Sequence, residues 1–404
     1  MNLRQKIERE IRERGPIPFS RYMELCLYDP ELGYYSRNAE KFGKAGDFYT
    51  SSDVHAVFGR VLARQFEEMW RALGEPEQME ILELGPGRGL FAQDVLDWSE
   101  KKFPDFFRAL HYTLAESSPS LRGQLASRFR RPIEAGKVSL PNPTGEDPSA
   151  NSGQAARQSN HVTRRALAPE VLLIIFANEF FDALPVEVLS EKGSLRINVR
   201  GQNFVEQWAP ASAEELEFLD RYSLHPEGEA RTEVALLSQQ QISHYAEMMQ
   251  TGFFVVIDYG YTREEQLAGR HLGTVMAYRQ HSASPNPYEA PGEQDITAHV
   301  NFTALAAVAE QNGMHAHKLL TQSQFLLGIG EANQFADAFE DCRLPQERAK
   351  VALQLKHLVT PAGMGETFHV LVGSKGIHLK TVEGLSGLNF GRDAFRSSRW
   401  SLSR

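Results

Sequence analysis

The sequence predicts an α/β fold built on a mostly parallel sheet with helices covering both faces. Three observations carry that expectation. Apolar runs of strand length recur at MEILELG, ALHYTLAE, VLLIIFAN and GFFVVIDYG. Helical or long connections separate them, as parallel strands require. The first run ends in a glycine-rich turn, GPGRG, that leads straight into the helical pattern LFAQDVLDWSE. A chain of 404 residues, 42% apolar and 24% charged, has ample core for one large α/β domain with elaborations.

The chain opens on a helix from Asn2 to Arg14, where Leu3, Ile7 and Ile11 recur at four-residue spacing and Gly15-Pro16 ends the pattern. FSRYMELCLYDPELGYY then reads as a helical turn and a loop packed by Phe19, Tyr22, Met23 and Tyr28. A further helix from about Val54 to Leu73 follows KAGDFYTSSD. Residues 1–75 are thus expected to form a helical cap ahead of a main domain over 76–384. In that domain Met79, Ile81, Leu82 and Leu84 mark a buried parallel strand, a second strand ends at Glu116, a helix runs from about Ser120 to Phe129, and Val171 to Asn178 is the most apolar strand of the chain.

Two insertions interrupt the domain. Residues 141–164 are rich in Asn, Pro, Gly and Ser and read as a surface insertion. Residues 185–250 contain the strand-like pieces VEVL, LRINV and FVEQW, a small hairpin platform, followed by the acidic helix AEELEFLD. After Asp258 comes a long polar segment, costly to order unless it serves a site. It leads to the helix FTALAAVAEQNG. GETFHVLVGSKG alternates Phe368, Val370 and Val372 and supplies a final edge or antiparallel strand; residues 385–404 read as a frayed basic tail.

Composition excludes several functions. A net charge of -9, spread along the chain, gives no general nucleic-acid footprint and suits a small or basic protein substrate. Cys26 and Cys342 are too few for a disulfide scaffold or a thiolate metal site, and the 13 histidines form no H-E-x-x-H pattern. No G-x-S-x-G nucleophile elbow is present. No run reaches the roughly 20 apolar residues of a bilayer span. Neither a metal, a membrane insertion nor a specific nucleic acid is expected.

Gly85, Gly87 and Gly89 directly follow the first strand, where glycine permits a tight turn and close approach of a ligand to backbone. The helix beginning near Leu90 directs its amide end toward the same place. The loop lacks the Lys-Ser/Thr ending of a phosphate loop. Glu116 lies 31 residues beyond Gly85, farther than the roughly 20 of a dinucleotide fold, which turns the balance away from NAD without excluding it. At the end of the third strand, Asn178, Glu179 and Asp182 lie where an open α/β sheet presents its ligand crevice. Glu179 and Asp182 are three apart, so one helical turn brings them to the same side.

Other polar residues group by position. Asp47, Thr50 and Ser51 form a loop that closes over the ligand or caps itself. Arg231 and Glu233 form a supporting ion pair or a surface pair. Asp258 ends another strand. Asp295, Thr297, His299 and Asn301, in EQDITAHVNF, are placed to brace the mouth by hydrogen bonds, with His299 equally readable as a buried structural donor.

The pattern E-L-G-x-G-x-G resembles the first motif of class I S-adenosylmethionine-dependent methyltransferases. That resemblance implies a Rossmann-like, mostly parallel seven-stranded sheet. It places Glu83 and the three glycines against the methionine portion, with Asn178 nearby, and Glu116 on the ribose hydroxyls. With PFSRYMELCLYDPELGYYS, GDFYTSSD, NEFFDALPVEV, VVIDYGY and QDITAHVNFTAL in the same order, the chain resembles the MidA-like family over roughly residues 1–375. This family includes the mitochondrial protein arginine methyltransferase required for assembly of respiratory complex I.

The resemblance implies S-adenosylmethionine as cofactor, S-adenosylhomocysteine as product, and a protein substrate that includes a respiratory-complex subunit among its candidates. Glu179 and Asp182 would orient a guanidinium nitrogen and offset its charge. Methylation of a small molecule or another macromolecule, or a cofactor-binding assembly factor without turnover, are the alternatives; a homodimer is compatible with the chain. The family often reads HVDF where this chain has His299-Val300-Asn301-Phe302, and an amide there supplies no negative charge. The mixed charges of the N-terminus and the PNPTG insertion fit a bacterial cytoplasmic relative.

Overall fold

The computed structural model describes residues 1–37, 56–141, 172–267, 273–279, 282–331 and 333–390. Asp47, Thr50 and Ser51, residues 142–164 of the expected insertion and residues 391–404 of the expected tail lie outside the described residues.

The main sheet has seven positions, formed by β1 (Met79–Leu84), β2 (Leu110–Ala115), β3 (Val138–Ser139), β4 (Leu172–Asn178), β5 (Gly252–Tyr261), β6 (His315–Ala316) and β7 (Phe368–Lys375). Their spatial order is β6-β7-β5-β4-β1-β2-β3. β1 to β5 run parallel to one another. β7 is antiparallel to β5, from Gly252 opposite Lys375 to Tyr259 opposite Phe368, and β6 is antiparallel to β7. The terminal strand is therefore antiparallel, as expected, but second from the edge. Every residue of β1 and β5 is buried, which explains why they read as apolar runs and not as alternating ones.

Helices cover both faces. On one, Phe91 from the helix Leu90–Lys102 stacks on Phe176 of β4 at 4.5 Å, and Phe66 from the helix Ala56–Ala72 meets the same ring edge-on at 5.4 Å. The helix Ala56–Ala72 thus belongs to the main sheet and not to an N-terminal cap. On the other face, Leu82, Ile175 and Val256 pack with Tyr245, Phe302 and Leu305.

The two ends of the expected cap and platform form one lobe. Glu187–Ser190, Gly193–Arg200, Asn203–Ala209 and Thr232–Val234 make an antiparallel sheet that Ile17–Pro18 extends to five strands. The helices Leu3–Arg14 and Phe19–Tyr28 bury Leu3, Ile7, Tyr22 and Met23 with Val188, Leu195 and Ile197. The second of these is a full ten-residue helix where a turn is expected.

The long polar segment after Asp258 contains a three-stranded sheet of Met276–Arg279, Ser282–Ser284 and Asp295–Thr297, whose Ala277 and Ile296 join the same N-terminal core. The start of the expected frayed tail is docked. Leu385 is buried, and the amides of Ser386 and Gly387 donate to Glu68 Oε2 and Gln65 Oε1, each at 2.9 Å. Among the described residues no helix is long and apolar enough to cross a membrane, and no group of three His, Cys, Asp or Glu is placed to hold a metal ion.

Candidate active site

The glycine loop sits on the carboxyl end of β1, pinned by the Gly85 amide donating to Ala115 O at 3.0 Å. Gly85, Gly87 and Gly89 have φ of 62°, 54° and 72°, the left-handed region that side chains resist. Space distinguishes them. A Cβ at Gly85 would stand 2.9 Å from Phe180, and one at Gly89 2.6 Å from both Leu125 and Phe129, whereas one at Gly87 meets nothing within 4 Å. The outer glycines permit close packing; the middle one faces open space.

Glu116 follows β2 and is brought beside this loop. Its carboxylate accepts from the Ser118 amide at 2.8 Å and from the backbone of Ser117 and Gly87. Burial nonetheless pushes its pKa up to about 7. Glu83 is 4% exposed and accepts from Tyr112 OH at 2.9 Å, with burial raising it to about 8. The protein itself engages this carboxylate, beneath the loop. Asn178, at the tip of β4, donates to Glu179 Oε1 at 3.2 Å, while its buried Oδ1 has no hydrogen-bond partner among the described residues.

Asp258 organises the turn that follows β4. One of its oxygens accepts from the amides of Phe180, Phe181 and Asp182 at 3.2, 3.0 and 3.3 Å; the other accepts from the Tyr259 amide at 2.9 Å. The clasp holds residues 179–184 in a non-helical turn, so the helical turn expected to align Glu179 and Asp182 is absent. Glu179 instead enters at φ 50° and donates its amide to Ile257 O at 3.0 Å. A side-chained residue in that region is uncommon and marks a backbone held by its surroundings. Burial and the neighbouring Asp182 and Glu179 carboxylates push Asp258 up. Asp182 is 5% exposed and raised to about 6 by burial; Tyr259 OH donates to its Oδ2, and its buried Oδ1 has no hydrogen-bond partner among the described residues.

Three further candidates stand apart from this pair. Arg231 binds Glu206 through two nitrogens at 2.7 Å and lies over the Trp208 ring, on the surface of the antiparallel lobe. Glu233, with which it was expected to pair, is buried and accepts from the Thr274 and Val275 amides at 2.7 and 3.2 Å. Asn301 caps the helix Phe302–Gln311, accepting from the Ala304 amide at 3.0 Å and donating to Tyr222 O at 3.0 Å. Both of these side-chain bonds serve the fold.

His299 stays near the site, its ring 5.3 Å from that of Tyr259. Sequence reasoning missed Tyr35 and read Tyr28 only as a packing residue. Tyr28 OH donates to Ala183 O and Tyr35 OH to Asp295 Oδ1, both at 2.9 Å. Their one sequence signal is the density of aromatics around DPELGYY.

An open left-handed glycine beside a buried acceptor fits a nucleoside diol, and the orphaned Asn178 Oδ1 fits an ammonium group; S-adenosylmethionine carries both. Residues 61–320 match the model of a family of S-adenosyl-L-methionine-dependent methyltransferases. The chain belongs to this family. It is a methyltransferase of the class I fold that uses S-adenosylmethionine.

Among curated relatives, the methyltransferase is 30% identical over 391 residues to the mitochondrial protein arginine methyltransferase NDUFAF7 homolog of Drosophila melanogaster, covering 93% of this chain and 85% of that one. It is 27% identical to protein arginine methyltransferase NDUFAF7 of Danio rerio, covering 88% and 82%. Among solved structures, a Burkholderia thailandensis superfamily member bound to S-adenosyl-homocysteine superposes with a TM-score of 0.75 at 28% identity, covering 93% and 92%.

Proposed function

We propose that this methyltransferase transfers its methyl group to a guanidinium nitrogen of a protein arginine. The observation that carries the proposal is the Asp258 clasp, whose carboxylate holds the turn that follows Glu179 and lies close enough to feel the charges of both Asp182 and Glu179. Two carboxylates suit a cationic, multiply hydrogen-bonding acceptor better than a hydroxyl or carbon. The names of the Drosophila and Danio relatives support the same choice.

Gly87 and Glu116 would hold the adenosine moiety and Asn178 the methionine ammonium. The bound sulfonium supplies a methyl group whose bonding pair returns to sulfur, leaving S-adenosylhomocysteine. Glu179 would hold the attacking nitrogen in line, the largest contribution such a reaction asks of a protein. Asp182 would offset the acceptor's charge. The proton lost from the methylated nitrogen passes to a carboxylate and then to solvent.

Mass spectrometry of partner-trapped protein incubated with isotopically labelled S-adenosylmethionine tests the assignment. Label on an arginine nitrogen is expected; label on any other atom refutes it. With the substrate in hand, Glu179→Gln should lower turnover by about 100-fold or more while leaving S-adenosylhomocysteine affinity unchanged. Normal turnover would remove Glu179 from the role.

A further inference from the structure

Four tyrosines and a second carboxylate from separate parts of the chain converge on Asp182. Tyr28 and Tyr35 come from the N-terminal lobe, Tyr259 from β5, and Tyr278 and Asp295 from paired strands of the three-stranded sheet. Hydrogen bonds fix the convergence. Tyr259 OH donates to Asp182 Oδ2, Tyr35 OH to Asp295 Oδ1, and Tyr28 OH to the carbonyl of Ala183. The Ala298 amide, three residues beyond Asp295, donates to Asp182 O at 2.9 Å.

Tyr278 and Asp295 are directly opposed across their strands, so their side chains leave the sheet on one face. The rings of Tyr28 and Tyr35 stand 5.4 Å apart. Asp182 and Asp295 are 5% and 7% exposed. Burial, and after it both carboxylates, push up the pKa of the hydroxyls of Tyr28, Tyr35 and Tyr278. Glu116, on the cofactor side, acts on Tyr28 as well, so this space adjoins the cofactor pocket.

The buried Asp182 Oδ1 has no hydrogen-bond partner among the described residues, which leaves it able to accept from an added donor. Aromatic walls around carboxylates select the kind of donor: a weakly hydrated cation that can stack on rings and fork its N–H groups between two acids. A compact ammonium would keep more of its hydration and reach fewer oxygens.

We propose that Tyr28, Tyr35, Tyr259 and Tyr278 enclose the guanidinium of the acceptor between Asp182 and Asp295, and that Asp295 is the carboxylate that selects a cation. This deepens the arginine-transfer proposal and rests on it. The N-terminal lobe, remote in sequence from the glycine loop, then supplies two of the four tyrosines of the acceptor site.

The test uses the full chain saturated with S-adenosylhomocysteine and titrated with acetyl-Gly-Ser-Arg-Ser-Gly-amide or its citrulline counterpart, a neutral isostere of arginine. The arginine peptide should bind about tenfold or more tighter than the citrulline peptide, the margin of a charge-assisted hydrogen bond. Asp295→Asn should erase most of that margin and leave S-adenosylhomocysteine affinity within about twofold, because it removes charge and not shape. Asp295→Glu should recover part of it.

Equal binding of the two peptides to the wild type overturns the cage. So does an unchanged margin in Asp295→Asn at wild-type melting temperature. If that variant fails to fold, Tyr35→Phe replaces it, and an unchanged margin there overturns the cage equally. Isotopic label on a residue other than arginine, with the margin intact, refutes arginine transfer and leaves the cation cage standing. Label on arginine with no effect of either variant does the reverse.

Discussion

Gly87 and Gly89 are both left-handed, yet they resist substitution for different reasons. A methyl group at Gly89 would collide with Leu125 and Phe129, so Gly89→Ala should destabilise the fold by about 1–3 kcal/mol, read as a lower melting temperature. Nothing crowds Gly87, so Gly87→Val should cost only the backbone strain, about 1–2 kcal/mol, while abolishing S-adenosylhomocysteine binding by calorimetry. Retained binding in a folded Gly87→Val protein would remove the loop from the cofactor site. Asp258 makes a complementary case. Asp258→Ala takes the acceptor from four buried amides and should cost about 3 kcal/mol or more in denaturant titrations, whereas Asp258→Asn keeps an acceptor oxygen and should cost much less.

At the scale of elements, the main strands were legible because parallel strands buried on both faces are mostly apolar along their length, as β1 and β5 are apart from Glu80, Glu83 and Asp258. The glycine loop was legible because left-handed backbone needs glycine. The turn of Glu179 to Asp182 was not, since its shape comes from a carboxylate almost 80 residues away. The same limit explains Asn301. Its departure from an aspartate looked like a missing charge on the acceptor side, yet its oxygen caps a helix, a task that Asn and Asp perform about equally. Asn301→Ala should therefore lower stability by about 1 kcal/mol in thermal melts without changing KM for an arginine substrate.

At the scale of the whole molecule, buried carboxylates tie stability to pH. Burial raises Glu80 to about 7, Glu83 to about 8, Glu116 to about 7 and Asp182 to about 6, from ordinary values of 4.5 and 3.8. Each group holds its proton more tightly folded than unfolded. Its contribution is complete below the ordinary value and is lost as pH rises through the folded one. The melting temperature of the ligand-free protein should thus fall between about pH 5 and about pH 8. Glu80 accepts from Thr113 Oγ1 at 2.5 Å, away from the glycine loop, and Glu80→Gln should make that decline shallower without altering S-adenosylhomocysteine affinity. An unchanged slope would show that Glu80 titrates elsewhere.

The amino-acid sequence alone determined the sheet, the place of the glycine loop and the family, because each rests on short-range chemistry: runs of apolar residues, glycines where φ must be positive, and an acidic residue at a strand end. Tertiary structure decided what those residues meet. It joined the N-terminal helices to the platform, engaged Glu83 with a tyrosine, separated Arg231 from Glu233, and gathered Tyr28, Tyr35, Tyr278 and Asp295 around Asp182. The physical reason is that a buried polar atom takes its partner from whichever part of the chain packing brings near, and neither spacing nor periodicity records that choice.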